Sequence, residues 1–463
     1  MRYISTRGAA PALTFDAAML TGLARDGGLY VPRGGAAMAG DGVPALGGRP
    51  CGEAGLRGRR AVGGEAFRDD ELRTALSAAY RGFDRPARAP LVQLASNHFL
   101  LELFHGPTLA FKDFAMQLIG QLFQIALARE GRRITIVGAT SGDTGSAAID
   151  AFRGLDNVDV FILFPQGRVS DVQRRQMTTP ADANVHALAL DGDFDDCQAR
   201  LKDMFNHFAF RDAVGLAGVN SINWARVLAQ VVYYFTSAVS LGAPLRKVSF
   251  TVPTGNFGDI YAGSIARRMG LPVDKLVIAT NQNDILHRCL TSGRYETTGV
   301  KPSISPSMDI QVSSNFERAL FDAYGQDGGA IAQLMEELKA KGGFTVSQGA
   351  IGALRDTYAS GRVSEDQTLA TIARLKKTTG ALLCPHSAVG VAVAETRRDP
   401  EVPMITLATA HAAKFPDAVE EATGIRPPLP ARMADLFSRP ERVTSVANDL
   451  AALEALIHER RRR

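Results

Sequence analysis

Cysteine is scarce in this chain, with 4 among 463 residues. Cys51, Cys197, Cys289 and Cys384 lie far apart and form no Cys-x-x-Cys pair, which argues against a disulfide framework and against a cysteine zinc site. The 8 histidines show no His-x-x-x-His spacing, so metal chemistry is not indicated. Long apolar runs are missing too. No stretch approaches the roughly eighteen residues of a membrane span, and Met1-Arg2-Tyr3 leads into a strand-like start without an apolar signal core. The expectation is a cytoplasmic protein without a membrane partner. Nor does one sign of charge dominate: 52 Lys and Arg stand against 48 Asp and Glu, a formal +4 that is too small over this length to imply nucleic acid. The one dense basic run, Arg460 to Arg463, reads as a solvated or disordered terminus. Both the Gly-x-Gly-x-x-Gly fingerprint and the Gly-Lys-Ser/Thr phosphate loop are absent, which argues against a nucleotide-binding oxidoreductase or hydrolase.

What is present suits a large globular protein. Apolar residues make up 46% and charged residues 22%, enough to bury a sizeable core divided among two or three domains. Residues 34–68, crowded with Gly, Ala, Arg and Pro, hold no sustained period and read as a loose segment. From Leu91 onward strands and helices alternate. Helices are predicted at 113–129, 144–153, 170–178, 195–208, 223–240 and 258–269, near 283–290 and within 315–378. Strands are predicted at 133–139, 158–164, 185–190, 247–253, 275–280 and 403–408. That alternation argues an α/β fold of parallel sheets covered on both faces, with ligands at the C-terminal ends of strands.

The most informative segment is Phe104-His105-Gly106-Pro107-Thr108-Leu109-Ala110-Phe111-Lys112-Asp113-Phe114. It is a turn that delivers one lysine to the first turn of an apolar helix, whose face continues through Phe114, Ala115, Leu118, Ile119, Leu122, Phe123, Ile125 and Ala126. Burial and the positive end of the helix dipole both disfavour an ammonium there. A neutral lysine amine suits Schiff-base chemistry. Taken alone, Lys112 reads more readily as a lysine whose stem packs on aromatics while its head reaches water.

Two further turns stand beside it. Gly138 to Ser146 follows the apolar run Ile134–Val137 and precedes a helix, so Ser141, Gly142, Asp143 and Thr144 sit where hydroxyls and N–H groups meet a carboxylate or phosphate. Pro253 to Asp259 follows the run Lys247–Val252 and opens another helix. There Thr254, Gly255, Asn256, Phe257, Gly258 and Asp259 form a natural phosphate cradle. Either turn by itself is ordinary loop chemistry. A lysine with two anion-holding turns is what pyridoxal phosphate requires.

These pieces resemble threonine synthases, which are fold-type-II pyridoxal-phosphate enzymes of the tryptophan synthase β-like class. The matching segments run from Met1-Arg2-Tyr3-Ile4-Ser5-Thr6-Arg7-Gly8 and Asp26 to Pro32 through the lysine turn, Ala139 to Gly145 and Pro165 to Ser170. They continue at Ser221-Ile222-Asn223, Thr254 to Asp259, Ala279 to Asp284 and Ala408 to Phe415. The segment 34–68 departs from the more regular helical region that the resemblance leads one to expect.

The resemblance implies two parallel-sheet α/β domains with an N-terminal extension: residues 1–90 as the N-terminal region, 91–240 as a smaller domain with the lysine, 241–430 as a larger cofactor-phosphate domain and 431–463 as a helical tail. Lys112 would carry pyridoxal 5'-phosphate and move protons. Gly255, Asn256, Phe257, Gly258 and Asp259 would surround the cofactor phosphate, with Asp259 capping its helix or meeting a cation. Thr409 would meet the pyridine nitrogen. Ser141, Gly142, Asp143 and Thr144 would hold the substrate carboxylate, and Asn223, Arg226 and Lys414, with Ser221, are candidates for the substrate phosphate. Arg226 reads alternatively as a helix-surface charge. His411 and Lys414 read equally as functional and as structural, His411 then being a core histidine. His105 reads as a residue that shapes the lysine turn by hydrogen bonding rather than one that transfers protons. The implied reaction converts O-phosphohomoserine and water to threonine and phosphate. A phospholyase on the same substrate, a serine/threonine dehydratase-like enzyme and a catalytically idle binding module are the alternatives. Nothing in the sequence sets an oligomeric state.

Overall fold

Short apolar runs of β-branched residues make the strands, and two of them show why the sheets are parallel. Ile134–Ala139 and Val158–Pro165 are buried along nearly their whole length, as strands covered on both faces must be. A computed structural model describes residues 1–34 and 66–462 of the chain. Most of the segment 34–68, with Cys51, therefore lies outside the described residues.

Two main sheets result. In the larger, six strands run in the order Tyr358–Arg362, Val273–Thr280, Val248–Pro253, Met404–Ala408, His98–Glu102 and Leu91–Ala95. All neighbours are parallel except the final hairpin. In the smaller, five parallel strands run in the order Thr444–Val446, Val185–Leu190, Val158–Pro165, Ile134–Ala139 and Leu216–Ala217.

The contiguous division at residue 240 does not describe these sheets. The hairpin at 91–102 pairs into the larger sheet, and the strand at 444–446 closes an edge of the smaller one. The chain therefore crosses between them near both ends. Within the C-terminal basic run, of which Arg463 lies outside the described residues, the side chains of Arg460 and Arg462 are tied to the fold. Arg462 donates Nε to buried Asp159 at 2.7 Å and a guanidinium N–H to the Val158 carbonyl at 2.7 Å, while Arg460 donates to Thr444 Oγ1 at 2.7 Å.

The helix Lys112–Glu130 packs against helices Asp69–Ala79, Asp143–Phe152 and Trp224–Ser240. Its buried residues include Phe114, Ala115, Leu118, Ile119, Leu122, Phe123 and Ala126, the predicted stripe apart from Ile125, which is half-buried at its edge. The N-terminal motif is anchored as well. Its ribbon pairs Tyr3–Ser5 with Tyr30–Pro32, and Arg7 reaches Glu317 at 3.0 Å. Beside Glu317, fully buried Arg318 donates to the Tyr30 carbonyl at 2.9 Å. Among the described residues no helix is long and apolar enough to cross a membrane.

Candidate active site

Four helix N-termini converge on one cavity at the C-terminal ends of strands. They begin at Lys112, Asp143, Gly258 and Pro385. The cavity is lined by Lys112, Asp143, Thr144, Arg226, residues 253–260, Ser307, His386 and Thr409. Positive dipole ends and free N–H groups aimed into one space suit an anionic guest.

The lysine turn is built to hold Lys112 at its helix start. Leu109 adopts φ +65°, and Thr108 donates both its N–H (2.8 Å) and its hydroxyl (2.6 Å) to Asp113, one residue beyond the lysine. A side-chain carbon on Gly106 would meet Asp113 at 2.5 Å, so the turn needs glycine there. His105 bonds Glu102 at 2.7 Å and so shapes the same turn.

Lys112 Nζ lies 4.7 Å from the centre of the Phe111 ring and 3.3 Å from Asp143 Oδ2. Burial pulls its ammonium pKa down, Asp143 partly opposes this, and the cations Lys414 and Arg226 add to it. Asp143 behaves oppositely. Burial alone would raise its carboxyl, but Lys414 and then Lys112 hold it well below the usual range. Lys414 is fully buried, with Nζ 2.8 Å from Asp143 Oδ1 and 2.9 Å from the Thr108 carbonyl. Gln173 donates Nε2 to Asp143 Oδ1 at 2.9 Å.

These contacts redistribute the candidate roles. Lys414 is fully buried, spends two of its three N–H donors on Asp143 and Thr108, and does not line the cavity, which sets it apart from a substrate phosphate. Asn223 is the cap of its helix: its Oδ1 accepts from Ala225 N–H, and its Nδ2 donates to the Met19 and Gly218 carbonyls. Both of its amide protons are thereby used, and it does not line the cavity either. Gly142 N–H already donates to Thr140 Oγ1 at 2.9 Å, and of the turn 141–144 only Asp143 and Thr144 line the cavity. His411 accepts Ala413 N–H at 3.1 Å and packs its ring edgewise on Phe104, a structural role.

Arg226 is different. It is 3% exposed, donates to the Val219 carbonyl at 3.3 Å, and leaves Nε without a partner. No carboxylate pairs with it among the described residues, and burial lowers its pKa to about 10. It is not a helix-surface charge. A buried, unpaired guanidinium is costly unless an anion arrives.

The turn at 253–259 also fits an anion. Among the described residues, the N–H groups of Gly255, Asn256, Phe257 and Gly258 meet no protein acceptor. Phe257 takes φ +65°, which tips these amides toward the cavity's helix start. A side-chain carbon on Gly255 would meet the Ser307 carbonyl at 2.7 Å, so residues 306–308 close directly over the turn. Asp259 neither caps the helix nor meets a cation. Its Oδ1 accepts the hydroxyls of Tyr233 (2.6 Å) and Tyr234 (2.9 Å), and burial raises its carboxyl pKa to about 6.

Three neighbours were not found from sequence. Gln173 sits on another helix. Ser307 lies in the short 3-10 turn Pro306–Met308 and points its hydroxyl at Asp143 Oδ2, 3.4 Å away. His386 starts the helix Pro385–Arg397, and its Nε2 accepts Ser307 N–H at 3.1 Å. Burial lowers the His386 pKa to about 4, so the ring is neutral with its proton on Nδ1. The Cys-Pro-His-Ser run at 384–387, with proline at a helix start, was the available signal.

Comparison with known proteins identifies the family. Residues 2–80 match the family described as threonine synthase N terminus, residues 86–347 the pyridoxal-phosphate dependent enzymes, and residues 387–457 the threonine synthase C-terminal family. The chain is 52% identical to the threonine synthase of Pseudomonas aeruginosa over 99% of its own length and 98% of that protein. The crystal structure of the pyridoxal-phosphate-bound threonine synthase of Brucella melitensis superposes with a TM-score of 0.97 at 54% identity, covering 100% of both chains. The yeast threonine synthase structure gives 0.92 at 38% identity, over 99% of this chain and 98% of that one. A buried lysine, an open cradle of amides and full-length likeness converge: the chain belongs to the threonine synthase family of pyridoxal-phosphate-dependent fold-type-II enzymes.

Proposed function

We propose that this chain converts O-phosphohomoserine and water to L-threonine and phosphate. The observation that carries the choice of substrate is Arg226, an unpaired buried cation in the same cavity as Lys112 and carried on a different helix from the one the amide cradle opens. A guanidinium is the residue of choice for bidentate phosphate recognition. Arg226 therefore holds the phosphate of the substrate, with Ser221 beside it in the cavity wall.

The site fits pyridoxal phosphate. The free amides of residues 255–258 would hold its phosphate and Lys112 its carbonyl carbon, with Thr409 in the same cavity wall. When bound, the cofactor supplies an electron sink that acidifies the Cα–H and Cβ–H of a joined amino acid. The chain's own groups do the rest. Lys112, a poor ammonium in this environment, takes and returns those protons. Asp143 orients Lys112 Nζ. Lys414 keeps Asp143 ionised whether or not Lys112 carries its proton, so the carboxylate never becomes an unpaired buried charge. Thr144, with its hydroxyl at a helix start, meets the substrate carboxylate. Holding the departing phosphate on Arg226 keeps it near Cβ while water adds there.

The deciding experiment is product identification from O-phosphohomoserine. Threonine and phosphate in equal amounts are expected; 2-oxobutyrate as the main product would establish the phospholyase reading instead. Arg226→Met should weaken O-phosphohomoserine by roughly ten- to hundredfold, the worth of a charged hydrogen bond, and abolish inhibition by inorganic phosphate. Unchanged phosphate inhibition would remove Arg226 from the phosphate site. Lys112→Ala should lose the absorbance band of the lysine-bound cofactor, and borohydride labelling of any other lysine would move the attachment point.

A further inference from the structure

Behind the lysine turn, on the side of Pro107 and Thr108 away from Lys112, lies a second cavity of about 270 Å³. Thr108, Asp150, Gln176, Arg432, Met433 and Leu436 form the part of its wall that matters here. Its polar atoms are unevenly used. Gln176, 7% exposed, donates Nε2 to the Thr108 carbonyl at 3.1 Å, yet its Oε1 is enclosed without a donor. Arg432 donates to the Gly106 carbonyl at 2.5 Å and pairs with Asp84, yet its Nε is enclosed without an acceptor. Asp150 accepts from Gln117 at 2.7 Å, but its nearest cation, Arg153, stands 3.8 Å away and is shared with Asp182. Arg439, also in the wall, is closed on Asp435 at 2.7 Å. Burial accordingly raises the Asp150 carboxyl.

One unused acceptor next to a weakly compensated carboxylate, and one unused donor on a cation, call for opposite charges at the two ends of a small molecule. Enclosed polar groups of this kind cost free energy until a partner supplies the missing bonds. We propose that this cavity is a second small-molecule site for a free α-amino acid, its ammonium toward Gln176 and Asp150 and its carboxylate toward Arg432. A lone anion would leave Gln176 Oε1 unsatisfied and meet Asp150 as a like charge. A lone amine would leave Arg432 Nε without an acceptor.

Occupancy of this cavity reaches the catalytic lysine through one residue. The Thr108 carbonyl accepts from Gln176 on the cavity side and from Lys414 Nζ, at 2.9 Å, on the active-site side. Thr108 N–H and O–H hold Asp113, the neighbour of Lys112. A ligand that draws Gln176 toward itself alters the Thr108 carbonyl, which with Asp143 is one of the two acceptors of Lys414 Nζ. The two sites are therefore coupled, and the coupling is reciprocal.

The test uses holoenzyme reduced with borohydride, which fixes the cofactor on Lys112 and prevents any amino acid from joining it there. Glycine, L-alanine, L-serine and L-threonine are titrated by calorimetry, with butyrate, butylamine and inorganic phosphate as one-charge controls. Saturable binding of at least one amino acid is expected, with each control weaker by roughly tenfold or more. Gln176→Leu, which removes the acceptor, and Leu436→Trp, which fills the cavity, should each abolish it. Intact absorbance of the lysine-bound cofactor before reduction certifies the fold of both variants. Slower hydrogen exchange across residues 105–114 on binding would report the coupling. No saturable amino-acid binding, binding that survives both substitutions, or a one-charge control that binds as tightly each overturns the proposal. Because the reduced enzyme is inactive, these outcomes are independent of which substrate the active site turns over.

Discussion

Asp113 shows how one buried side chain beside the catalytic lysine ties the turn to pH. Its carboxyl is wholly buried, and burial raises its pKa to about 7 despite the two donors from Thr108. The folded value lies above the unfolded one, so the folded state binds this proton more tightly. The stability it contributes is present below about pH 4 and is lost as pH rises toward about 7, amounting to at most about 4 kcal/mol. Asp113→Asn keeps an acceptor for Thr108 N–H and offers Thr108 Oγ1 a donor, while removing the titration. Urea unfolding of wild type and Asp113→Asn at pH 5 and pH 8 should therefore show the variant gaining relative stability at the higher pH. An identical difference at both values would mean that Asp113 titrates as an ordinary surface acid. At the same scale, Lys414 shows where sequence reading stops. A lysine three residues after His411 carries no mark that it is committed to Asp143, because that contact joins positions 271 residues apart (414 minus 143).

At the scale of elements, the strand–turn–helix units at 134–152 and 248–268 follow from their sequence, since apolar runs give way to glycine-rich turns and helix starts. Other elements left weaker traces. The helix Pro385–Arg397 is buried around most of its circumference, through Ala388, Val389, Gly390, Val391 and Val393, so it has no polar face to give a period. It also lies close on the sheet: a side-chain carbon on Gly390 would meet Pro253 and Thr406 at 3.0 Å. The edge strand Tyr358–Arg362 falls inside the stretch read as helical, because Ala359-Ser360-Gly361 offers little β signal. The turn carrying Asp143 was legible, but its dependence on a second helix was not. Gly142 takes φ +133°, and a side-chain carbon there would meet Gln173 at 2.3 Å. That closeness lets Gln173 reach over the turn to Asp143. Gly142→Ala should therefore push Gln173 off Asp143 and lower activity. In a double-mutant cycle with Gln173→Ala, the two losses should fall short of additivity by roughly 1 kcal/mol. Strict additivity would show that the cost is backbone strain at φ +133° alone.

Across the whole molecule, the chain's last residues complete a sheet begun near residue 134. The strand Thr444–Val446 pairs with Val185–Leu190, and the helix Leu450–Arg460 places Leu453 and Ile457 in the core beneath that sheet. Arg462 then reaches Asp159, 2% exposed in the central strand, whose other cation is Arg133 at 3.6 Å. A basic terminal run has the composition of a disordered tail, and only the buried acid 303 residues earlier in the chain gives it a place. Removing one partner of a buried charge leaves the other under-compensated. The loss can reach 3–5 kcal/mol in a fully buried pair, but Arg133 remains and Arg462 is partly exposed, so Arg462→Ala should cost about 1–3 kcal/mol. Arg462→Lys should recover part of it, since one ammonium can still meet Asp159 but cannot also serve the Leu155 and Val158 carbonyls. Deleting residues 443–463 should do more, because it bares the edge of Val185–Leu190 and the apolar positions that Leu453 and Ile457 cover. Urea midpoints should rank wild type, Arg462→Lys, Arg462→Ala and the truncated chain in that order. A truncated chain as stable as the wild type would make the tail an ornament, and the smaller sheet complete without it.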